Sequence, residues 1–137
     1  MEIEAALQQY LLLSEDITRE LGDRLYPQQT PQSEQFPRGI YMASDPEQMF
    51  ALTGPINMYQ CQVRYEISAT SYARAKRIAN LIRARLLGYR GDLPGGVWVS
   101  QGIFDGGGDD ELEPPMSAEE AGIETVAVMV RVWYGRV

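Results

Sequence analysis

Nineteen carboxylates stand in this chain beside twelve Lys and Arg, one cysteine and no histidine. Those numbers decide which chemistry is open to it. Ser/His/Asp and Cys/His nucleophilic sites need an imidazole that takes up a proton near neutral pH, and none is present. Zinc sites of the usual kinds draw on several His and Cys ligands, which Cys61 alone cannot supply. Carboxylate pairs remain, but acid/base work with them needs one buried and one polar carboxylate facing each other across a cleft. A chain of 137 residues has little room to enclose such a cleft. The expectation is a protein that is not an enzyme, with no catalytic residue, no metal site and no cofactor.

The charges are unevenly placed. The run from Tyr72 carries Arg74, Lys76, Arg77, Arg83 and Arg85 and no acid, inside a chain of net charge -7. Eight acids (Asp105, Asp109, Asp110, Glu111, Glu113, Glu119, Glu120 and Glu124) lie within 105–124 without a compensating base. Gly106, Gly107 and Gly108 sit among them, but a phosphate cradle needs a following helix N-terminus and usually a lysine. The sign is wrong, and the local reading is a solvated loop. For the basic run, Arg83 and Arg85 suit the negative end of a helix, so part of its charge has a structural reason.

The elements that position these groups follow from periodicity. Ile3, Leu7, Tyr10 and Leu11 predict a helix over 2–13, and Ser14 reads as the N-cap of a second, "EDITREL", stopped by Gly22. Residues 27–37 hold three prolines and four glutamines and read as a loop or arm. "GIYMAS" at 39–44 is a short strand candidate. The stretch 45–57 carries Asp-Pro and Gly-Pro turn signals around Met49 to Leu52, a projecting hairpin or loop. From 58 to 69, Tyr59, Cys61, Val63, Tyr65, Ile67 and Ala69 alternate with polar neighbours, which predicts a half-buried strand with Cys61 as a small core residue. Thr70 or Ser71 caps a helix over 72–87 whose sheet side would be Tyr72, Ala75, Ile78, Ala79, Ile82 and Leu86, ended by Gly88 or Gly91.

"GDLPGG" then reads as a turn, 97–104 as a strand, 105–122 as the acidic loop, and Val126, Val128, Val130, Val132 and Tyr134 mark a closing strand. The order α, α, β, β, α, β, β gives one domain over 1–137 of the α+β class, an antiparallel four-stranded sheet packed by a long helix with an N-terminal helix pair. The longest apolar runs, such as "VAVMV" at 126–130, fall far short of the roughly 20 residues a bilayer needs. No membrane partner is expected. The acidic N-terminus lacks the features of a secretory signal, so synthesis in a cytoplasm is expected.

In sequence, the helix pair ending "GDRLYP", the strand "GIYMAS", the turn "TGP", the run "VRYEISATSYARAKRIANLIRARLLGYRG", the segment "LEPP" and the closing "VRVWY" follow one another over nearly the whole chain. This ordered set resembles the tail completion proteins of long-tailed bacteriophages, a family that includes head-tail joining and tail terminator proteins. The resemblance implies a structural protein of the virion, made in the host cytoplasm and forming a homo-oligomeric ring, usually a hexamer, at the head-proximal end of the tail. Its implied partners are the tail tube protein and the head connector protein, with DNA passing through the lumen without specific binding. A closed ring uses two different patches per subunit, so Arg74, Arg77 and Arg85 on one flank and Asp109, Asp110 and Glu111 on the other are candidate interface residues. Met49, Phe50 and Leu52 are candidate apolar anchors for docking onto the tube or connector. Two alternatives stand beside this reading. One is a nucleic-acid binder using the basic helix 72–87 with stacking from Tyr72 or Tyr89, opposed by a pI near 4.6. The other is an adaptor domain in which that helix is a solvated face.

Overall fold

A computed structural model describes residues 2–27, 36–100, 102–105, 112–113 and 123–136. In chain order the elements are α1 (Ile3–Leu12), α2 (Glu15–Leu21), β1 (Leu25–Pro27), β2 (Arg38–Ala43), β3 (Glu47–Ala51), β4 (Gly54–Ala69), α3 (Tyr72–Leu86), β5 (Gly91–Leu93), β6 (Val97–Val99), β7 (Phe104–Asp105), β8 (Leu112–Glu113) and β9 (Glu124–Arg136). The strongest alternation in the sequence makes the spine, since β4 and β9 pair antiparallel from Tyr59↔Tyr134 to Ala69↔Glu124. Both strands put their apolar parity on one face. Cys61, Val63, Tyr65 and Ile67 stand beside Val132, Val130, Val128 and Val126, all buried.

An antiparallel four-stranded sheet under one long helix is not what forms. Among the described residues nine strands make a single mixed sheet, with the path β1-β2-β4-β9-β6-β5 and β1 parallel to β2, and three helices have 10, 7 and 15 residues. The difference has a physical origin in strand length. β1, β5, β6, β7 and β8 have two or three residues each, too few to express a period of two. They are strands because neighbours offer them an edge: β9, paired with β4 along one side, takes β8, β7 and β6 in succession along the other, while β1 pairs with β2 and β5 with β6. The predicted strand 97–104 is therefore two strands, the "GDLPGG" turn contains β5, and the expected loop from 105 contains the end of β7 and all of β8.

This sheet curls into an open half-barrel, so that α1 touches both β2 and β5, α3 lies against β4 and β9, and α2 packs on α1 and α3. α3 lies along β4 and β9 because Ala75, Ile78, Ala79, Ile82 and Leu86 form one fully buried stripe. Its alanines permit close approach, while each buried Ile or Leu contributes about 1.5–3 kcal/mol. Ser71 caps it through its hydroxyl, which accepts from the Arg74 amide at 3.2 Å. Tyr72, expected on the sheet side, is 45% exposed because it begins the helix before the stripe does. Ser14 occupies the N-cap position of α2 without a side-chain cap bond; its carbonyl accepts from the Thr18 amide and hydroxyl instead. Among the described residues no helix is long and apolar enough to cross a membrane.

Candidate functional site

Arg74, Arg77 and Arg85 of α3 engage the chain's own helices. Glu20 of α2, with its side chain only 20% exposed, accepts from Arg74 Nε at 3.1 Å and pairs with Arg77 Nη2 at 3.2 Å. Just over two turns further on, Arg85 Nε donates to the Tyr10 carbonyl at 2.9 Å and its guanidinium lies 4.1 Å over the Tyr10 ring. Tyr10 in turn packs against Tyr89 at 4.5 Å. The spacing 74, 77, 85 puts all three on the flank of α3 that faces α1 and α2. Arg74, Arg77 and Arg85 thus pin the N-terminal helix pair to the helix that fills the sheet. Arg77 keeps 60% of its side chain exposed. The acidic counterparts named from the sequence, Asp109, Asp110 and Glu111, lie outside the described residues.

The second candidate set forms a projecting arm. β3 and β4 make a hairpin closed by the Ala51↔Gly54 pair, with Leu52 and Thr53 at the turn and Gly54 at φ 126°, a value that favours glycine. The last β9 partner of β4 is at Tyr59, so Gly54–Met58 run beyond β9 and pair with β3 at Gly54 and Pro55. Five residues of strand extend about 17 Å. Side chains stiffen the arm: Gln48 Nε2 donates to the Ile56 carbonyl at 3.2 Å, and Trp133 Nε1 donates to Gln60 Oε1 while Gln60 Nε2 donates to Glu47 at 3.0 Å. That relay ties the root of the hairpin to β9.

At its tip Phe50 is 70% and Leu52 109% exposed, joined by Ile56 at 36%. Half of the described chain's six exposed large hydrophobic side chains are therefore on this one hairpin. Met49 is half-buried where the register shifts between Gln48 and Phe50. Ile56 escaped the sequence reading because Gly54-Pro55 reads as a turn signal, whereas Gly54 begins a sixteen-residue strand.

Between arm and body lies a polar recess of about 410 Å³ lined by Ser44, Asp45, Glu47, Gln60, Cys61, Gln62 and Arg131. It offers opposite charges and amides to a polar group, but no activated nucleophile. Burial, reinforced by nearby Glu4, pushes the Cys61 thiol up to about 12, so it stays protonated at neutral pH. Burial likewise raises the Tyr65 and Tyr41 phenols. Among the described residues no three His, Cys, Asp or Glu side chains come together as a metal site would require.

No protein-family model matches the chain, and no curated protein matches it in sequence. Solved structures do match it in fold. One is a chain of the virion of a native gene transfer agent particle, with a TM-score of 0.70 at 15% identity over 97% of this chain and 94% of that one. Another is the bacteriophage SPP1 gp17 protein, with a TM-score of 0.45 at 10% identity over 94% and 86%. The fold of this chain, end to end, is that of a chain found in a virion.

Proposed function

We propose that this chain is a structural protein of a phage or phage-derived particle, placed at the head-tail junction. In this reading it forms a ring, usually of six copies, at the head-proximal end of the tail, terminates the tube and joins it to the head connector. The observation that carries the proposal is the fold shared over 97% of the chain with a component of a gene transfer agent virion. The rigid apolar arm supports it, because a surface of that kind suits a protein that works inside an assembly. DNA passes through the ring without specific binding. The nucleic-acid-binding alternative has less support, since Arg74, Arg77 and Arg85 are engaged by Glu20 and Tyr10.

Electron microscopy of particles made with and without an early stop codon in the gene tests this reading. Filled heads beside unattached tails are expected without the protein. Intact, infectious particles made in its absence would reject the assignment.

A further inference from the structure

We draw no further inference here: the strongest candidate, the apolar tip of the β3–β4 hairpin that exposes Phe50, Leu52 and Ile56, carries nothing beyond the reading above, because nothing in the structure shows what covers it.

Discussion

Replacing Glu20 with Gln tests what the basic helix is for. The carboxylate of Glu20 holds Arg74 Nε at 3.1 Å and Arg77 Nη2 at 3.2 Å, with its own side chain 20% exposed and those of the arginines 41% and 60% exposed. Solvent screening limits each of these half-exposed pairs to about 0.5–1 kcal/mol. Losing both costs about 1–2 kcal/mol, and the two guanidiniums, three residues apart on α3, are then left to repel each other by a few tenths. For a domain of this size the midpoint of thermal unfolding should fall by roughly 3–8 °C. Circular dichroism melts at 0.1 and 1 M NaCl measure it, and the deficit should shrink at high salt. A double-mutant cycle of Glu20→Gln with Arg74→Ala should give a coupling of about 0.5–1 kcal/mol. A melting midpoint within about 1 °C of wild type at low salt would refute the clamp, because two lost ion pairs must leave a larger mark. The arginines would then be free to serve an outward contact.

Further predictions concern the core. Cys61 should resist thiol reagents in the native protein and react on unfolding, and its titration should centre at about 12. The unfolded chain gives up that proton near the ordinary thiol value of about 8.5 while the native chain keeps it. Stability should therefore fall as pH rises above about 9, by up to 1.4 kcal/mol per pH unit, until the native thiol itself ionises. Cys61→Ala should remove that part of the alkaline slope in urea titrations, leaving the part from the buried Tyr65 phenol, and an unchanged slope would count against the burial argument. At Gly135 a Cβ would fall within the Trp98 indole ring, which lies across the strand from it. Gly135→Ala should cost about 1–3 kcal/mol in denaturant unfolding, and much less in a Trp98→Ala background.

Long runs with a strict period were legible without a structure. The alternation of Tyr59 to Ala69 and of Val126 to Tyr134 placed the two central strands and buried Cys61, because period two needs only local residues to be seen. Ala75, Ile78, Ala79, Ile82 and Leu86 placed α3 for the same reason. Short strands were not legible. Leu25–Pro27 and Gly91–Leu93 say nothing by themselves, and they join the sheet because β2 and β6 supply the hydrogen-bonding edges.

The candidate site divides in the same way. Met49, Phe50 and Leu52 stood out as an apolar cluster between turn signals, and the fold lifts two of them to the tip of an arm. Ile56 joined them only through the folding of β4 back along β3, where Gln48 Nε2 donates to its carbonyl. That Arg74, Arg77 and Arg85 are cations on one helix, and that no imidazole is present to do chemistry, are facts of composition and local spacing. Where those cations are spent is a long-range fact. Glu20 lies 54 residues from Arg74, and only the docking of α2 against α3 turns a basic stripe into an internal clamp.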